Sequence, residues 1–364
     1  MTFDALFVPD ALREAVSDEA WLAGMLEAEQ ALAAAQGIEL ELGDLDVAEL
    51  VEAGRKAGNP VEPLARQLRE RNPQAHRGAT SQDILDTAAA LVARNATRLI
   101  EGELDGVAAA CARLAEEHRT TVMAGRTLLQ QAVPITFGLK AAGWLVGVVH
   151  ARKRLGAANL PAQLGGAAGT LAALGDKGAD VLREYASRLE LPEPVVPWHT
   201  RRLPVAELGA ALSVAAGFAG KIALDLVLLA QTEVGEVRER EGGPSSTMPH
   251  KRNPVGATLA RACAVRAQAE AGVLMSALAQ EHERAAGAWH AEWGALSDAL
   301  AYTGGAAASL HGALDGLEVD VERMRANIRP EALSEARGDA EHPDDYLGGA
   351  DVFVDRALEL YRGA

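Results

Sequence analysis

Aromatic residues make up only 4% of this 364-residue chain. That scarcity, beside abundant Ala and Leu, argues against a β-rich core and for helix, because Ala and Leu are strong helix formers. Runs of alternating β-branched residues are missing too, so strands are expected to be minor. Only two cysteines occur, Cys111 and Cys263, far apart in Ala-rich stretches and in no CxxC or metal-spaced set. They read as buried, reduced thiols of a cytoplasmic protein. No stretch of about 18 residues is uninterruptedly apolar, so no membrane span is expected. The start, MTFDALFVPD, has no basic stretch followed by an apolar one, so no signal peptide is expected. A basic surplus is absent as well: the formal net charge is -16. This speaks against nucleic acid as a partner. An anionic substrate stays open, since a cationic pocket can sit inside an acidic shell.

What the chain does hold is helical periodicity. Helices are expected at 18–36 (Asp18 as N-cap, Gly37 as stop), 46–57, 82–119, 133–158 with Pro134 in its first turn, 176–189, 204–237, 255–284, 291–316 and 348–362. Asn59, Pro60 and Pro63 read as a break, as do Pro192, Pro194 and Pro197. The runs Gly165–Thr170 and Glu241–Ser246 read as loops. The expectation is an all-α fold: an N-terminal helical domain (1–98), a central long-helix bundle (99–318) and a short C-terminal helical segment (319–364). Helices this long and apolar, 209–231 above all, suggest burial between subunits.

Candidate chemistry clusters in a few polar segments. Gly243-Pro244-Ser245-Ser246-Thr247-Met248-Pro249-His250-Lys251-Arg252-Asn253-Pro254 joins two long helices. A plain connector has no need of Lys251 and Asn253 between two prolines. His282 and His290 with Glu281, Glu283 and Glu292 lack HExxH spacing, so no metal is expected. The glycine run lacks G-x-G-x-x-G and GK[ST] order, so it reads as a turn offering backbone N–H groups, and no cofactor is expected.

The loop at 243–254 resembles the fumarase/aspartase superfamily signature G-S-S-x-M-P-x-K-x-N-P, with Pro244 in place of a glycine. His76-Arg77-Gly78-Ala79-Thr80-Ser81-Gln82-Asp83 and Arg126-Thr127-Leu128-Leu129-Gln130-Gln131 are similar to two further motifs of that superfamily, in its order. The resemblance implies a fumarase/aspartase-like fold whose long helices build a homotetramer core, with active sites shared between subunits. It implies proton transfer beside a carboxylate through an aci-carboxylate intermediate. Ser245 would be the catalytic base. Thr80, Ser81, Gln130, Lys251, Asn253 and His76 would bind substrate.

Two departures narrow the reaction. Where the superfamily's lyases carry a general-acid histidine, this chain has Leu128. Where they carry its glutamate partner, it has Thr258. An amine or hydroxide leaving group needs such an acid, worth ~10²–10⁴-fold. A carboxylate, with a conjugate-acid pKa near ~4, leaves unaided. Ring closure and opening of a lactone therefore fits. Pro197-Trp198-His199-Thr200-Arg201-Arg202, His282 to His290 and Asp345 to Ala350 resemble the 3-carboxy-cis,cis-muconate cycloisomerase branch. That branch implies a small tricarboxylate substrate, with His199, Arg202, Lys251 and Arg126 as partners for its carboxylates. An adenylosuccinate-lyase-like C–N lyase and a non-catalytic scaffold of the same fold are the alternatives. The first is disfavoured by Leu128 and Thr258, the second by the retained Ser245, Lys251 and Asn253.

Overall fold

The computed structural model describes residues 3–240, 242–244, 247–248, 251–336 and 340–364. Helices dominate, and strands form three two-stranded antiparallel ribbons among the described residues. The first long helix, Asp18–Ala35, is capped by Ser17 Oγ, which accepts from the Ala20 N–H, so the cap lies one residue before the one expected. Gly37 takes φ +72° just beyond its end.

Two expectations about proline fail. The break at 59–63 holds a helix, Val61–Arg71. Asn59 Oδ1 accepts from the N–H groups of Val61 and Glu62, and Pro63 sits in the first turn, where an N–H has no helical partner to lose. Pro134, expected to start a helix, lies instead in the strand Gln130–Thr136, paired with Val122–Thr127. The helix begins at Phe137, after Thr136 Oγ1 accepts from the Leu139 N–H at 3.0 Å.

The bundle is built from Ser81–Glu117, Phe137–Ala157, Leu203–Leu229, Val255–Ser276 and Ala288–Leu314. Ser81–Glu117 runs unbroken across residue 98 and packs on Phe137–Ala157 and Ala288–Leu314. Leu203–Leu229 packs on Val255–Ser276 and Ala288–Leu314. Small buried residues along these faces, such as Ala215, Ala219, Ala223, Ala260 and Ala267, let the helices approach closely. Trp144 and Phe137 fill the space behind them, edge to face.

Leu203–Leu229 is long and apolar enough to cross a bilayer by length and composition, with 44% of its most apolar stretch buried. Glu207, Lys221 and Asp225 interrupt its apolar run, so counting consecutive apolar residues misses it. Here it is a bundle helix. Both cysteines are free and buried. Burial pushes the Cys111 thiol up to about 12 and the Cys263 thiol to about 11.

Leu203–Leu229 also sets the scale of the site. Its 27 residues span about 40 Å. Arg202 stands at its start, and the segment leading to the signature loop follows its end.

Candidate active site

The first end of the bundle is organised by two carboxylates one turn apart on Ser81–Glu117. Asp83 is fully buried. It accepts from the backbone N–H groups of Thr80, Gly165 and Gly166, each at 2.9 Å, and pairs with His199 Nε2 at 2.7 Å. One side chain thus ties together the start of the helix, the glycine run and the Trp198-His199 segment. The His199 carbonyl in turn accepts from Gln82 Nε2.

Asp86 accepts from Arg202 Nη1 at 2.7 Å and Nη2 at 3.0 Å, from Trp289 Nε1 and from Gln82 Nε2. Glu292 takes the remaining edge of the same guanidinium through Nε and Nη2 and also accepts from Gln280. Arg202 is buried and stacks on the Trp198 ring at 4.6 Å. Burial works against its charge, but Asp86 and Glu292 outweigh it and hold the guanidinium above the ordinary arginine range. Burial likewise pushes the Glu292 carboxyl up, against the pull of Arg202.

Arg202, expected to grip substrate, is in this chain engaged on both edges by buried carboxylates, and that pairing holds this end together. His199 is committed in the same way, through Nε2 to Asp83. His76 is buried, with Nδ1 on Glu29 Oε1 at 2.6 Å, and Glu29 is itself fully buried. Thr80 sits at the helix start beside this cluster. Ser81 lines a separate cavity of about 890 Å³, whose wall carries Asp46, Glu49, Glu52 and Glu62 against Lys56 and Arg66.

Gln130, Lys251 and Asn253 lie at the other end. Gln130 pairs with Thr127 near the tip of the hairpin and is exposed. Arg126 forks Glu236 at 3.0 and 2.6 Å, and Asn327 Nδ2 donates to the same carboxylate. Arg126 is thus paired within the chain as well. The hairpin tip carries Leu128 and Leu129 at φ +50° and +65°, 97% and 75% exposed. Two consecutive leucines in the left-handed region are strained, at about 1–2 kcal/mol each. Residues 127–130 of the tip themselves include no acid, and the Thr258 hydroxyl donates to its own helix, to the Pro254 carbonyl at 2.7 Å.

The base of the signature loop is firmly held. Glu239 accepts from the N–H groups of Gly256 and Ala257 at 3.0 and 2.8 Å, so its carboxylate caps the Val255–Ser276 helix. Gly243–Pro244 pairs with Arg252–Asn253, and Asn253 Nδ2 donates to the Gly243 carbonyl. Lys251 is exposed and lines a cavity of about 1050 Å³ with Asn253, Met248, Glu239 and Arg238. Ser245 lies outside the described residues.

One chain thus brings Thr80, His76, His199 and Arg202 to one end, and Gln130, Lys251 and Asn253 to the other. The positioning residues Glu29, Glu236 and Glu239 were not found by sequence reasoning. Asp86 is legible only as part of the motif that begins at His76, and Glu292 only as a candidate metal ligand set aside for its spacing.

Residues 12–269 match the family described as Lyase. A nitrosuccinate lyase of Streptomyces davaonensis is 49% identical over 349 residues, 86% of this chain and 74% of that protein. A 3-carboxy-cis,cis-muconate cycloisomerase of Bradyrhizobium diazoefficiens is 43% identical over 346 residues, 87% of this chain and 77% of that protein. Among solved structures, the 3-carboxy-cis,cis-muconate lactonizing enzyme from Pseudomonas putida superposes with a TM-score of 0.89 at 35% identity, covering 99% of both chains.

Proposed function

The chain belongs to the lyase family of the fumarase/aspartase superfamily, and we propose that it catalyses the reversible lactonisation of 3-carboxy-cis,cis-muconate to 4-carboxymuconolactone. The observation that carries this is the hairpin tip: it carries an exposed Leu128 where the superfamily's lyases have their acid, and the Thr258 hydroxyl, at the position of that acid's partner, donates to the Pro254 carbonyl. A site without an acid at that position suits a leaving group that needs no proton.

In ring closure, a substrate carboxylate oxygen attacks the alkene carbon, and the Ser245 hydroxyl delivers its proton to the carbon next to a second carboxylate. In ring opening, the serine oxygen takes that proton back and the carboxylate departs. The aci-carboxylate between the two steps needs fixed donors. Lys251 and Asn253 would supply them from one side, and backbone N–H groups near Thr80 from the other. The two sets stand at opposite ends of a bundle about 40 Å long. Each active site is therefore completed by other copies of the chain, in a homotetramer.

A second reading rests on the 49% identity to a nitrosuccinate lyase. Nitrite is a weak base like a carboxylate and also leaves without an acid, and a nitro group has the shape of a carboxylate. The experiment is a paired assay of wild type and Ser245→Ala. Loss of the diene absorbance of 3-carboxy-cis,cis-muconate by wild type alone supports the lactonisation and the base. Release of nitrite and fumarate from nitrosuccinate, with the diene untouched, replaces the first reading by the second. Turnover of neither by a folded tetramer removes both.

A further inference from the structure

A cavity of about 570 Å³ beside the glycine run is lined by Arg69, His76, Arg77, Gly78 and Ala167 among others, and no carboxylate lines it. In a chain of net charge -16, such a wall has a preferred partner. We propose that it is a built carboxylate subsite, aimed by two residues that do not line it, Glu29 and Arg284. This rests on the reading of the substrate as a polycarboxylate and assigns one carboxylate a place.

The first aiming device is the Glu29–His76 pair. His76 is nine-tenths buried, at 9% exposure, and sits in the left-handed region at φ +60°. Glu29 Oε1 engages Nδ1 at 2.6 Å, which fixes the ring plane. Nε2 is then the nitrogen left for the cavity, and among the described residues it has no partner. Glu29 Oε2 is buried without a hydrogen-bond partner, so nothing else holds that carboxylate but the imidazole. The arrangement orients a histidine toward a ligand as the outer partners of metal-binding histidines do.

The second device is Arg284. Its Nη2 donates to the carbonyls of Gly166 at 3.2 Å and Ala167 at 2.8 Å, while Nη1 donates to Gln82. In a trans peptide the N–H points opposite to the C=O. With both carbonyls drawn to one guanidinium, the N–H groups of Ala167 and Ala168 face away from it. Gly166 at φ +69° permits that turn. Successive N–H groups in such a turn form an anion cradle. Both residues are exposed, and among the described residues neither N–H donates to a backbone acceptor.

The probe is propane-1,2,3-tricarboxylate, which has the charge of the substrate and no reactive alkene. Calorimetric titration of the full chain in its assembled form should show binding. His76→Phe, Glu29→Met and Arg284→Met should each weaken it by about tenfold or more, with Arg98→Ala, an exposed arginine elsewhere, unchanged. Arg284→Lys keeps the charge but lacks the fork, and should fall between. In the wild type, addition of the tricarboxylate should shift the His76 Nε2 ¹⁵N signal, which a purely structural role for His76 would not require. Unchanged affinity in folded Glu29→Met and Arg284→Met overturns the subsite. So does an active wild type that does not bind the tricarboxylate. A wild type that binds the tricarboxylate but turns over neither candidate substrate overturns the reaction and leaves the subsite standing.

Discussion

Asp83 and His199 meet at 2.7 Å across 116 residues of sequence, and through that bond three chain segments share one buried carboxylate. The four donations it receives cannot be matched by an amide, whose nitrogen would face N–H groups. Asp83→Asn should therefore destabilise by about 3 kcal/mol, from two or more buried donors left unpaired. Urea unfolding of the assembled protein reads it. A loss under about 1 kcal/mol would mean the segments are held by packing alone.

Arg202 gives a complementary test. Removing it leaves Asp86 and Glu292 buried without a cation, which costs about 3–5 kcal/mol. Arg202→Met should thus lower the unfolding midpoint strongly. In whatever fraction stays folded, KM should move less than kcat. A raised KM with unchanged stability would return Arg202 to the role of substrate ligand.

This is where sequence reading reached its limit. The helices were legible because Ala, Leu and Glu recur at helical spacing, and the family segments were legible as strings. Arg202 looked free because its partners are 116 and 90 residues away. Pro134 looked like a helix start because its fixed φ suits a first turn and a strand alike; the pairing with Ala124 decides, and that is tertiary. Glu29 carried no signal in its Ala-rich helix, since a buried glutamate and an exposed one spell the same.

The hairpin tip separates stability from activity. Leu128→Asn with Leu129→Gly gives the turn residues that tolerate positive φ. The double variant should gain about 1–2 kcal/mol per relieved residue, while kcat should fall under the proposed shared site, in which the segment beside Gln130 serves a neighbouring copy. Equal activity would place the tip outside that site.

Lys140 carries a pH signature. Burial lowers its pKa below 10.5, against the pull of Asp225. The folded state then binds fewer protons than the unfolded state in the window below 10.5, so stability rises with pH there. Lys140→Met should raise the melting temperature at pH 7, and that gain should shrink as the pH approaches 10.5. A constant gain would mean the effect is packing.

The cysteines give a simple control. With thiols pushed up to about 12 and about 11 and both side chains buried, neither should react with a disulfide reagent at pH 8 until the protein is unfolded. Then both should react. Rapid labelling of the folded protein would reveal opening of the Ser81–Glu117 or Val255–Ser276 helix.

The separation of the two polar ends by a whole bundle length has a genetic consequence. Under the proposed sharing of active sites between copies, a mutant copy spoiled at one end would not be a null, because its other end would still complete a neighbour. After gene duplication, two copies damaged at opposite ends would rescue each other in mixed assemblies. Each end could then drift toward a different substrate while the shared helices hold the partnership together.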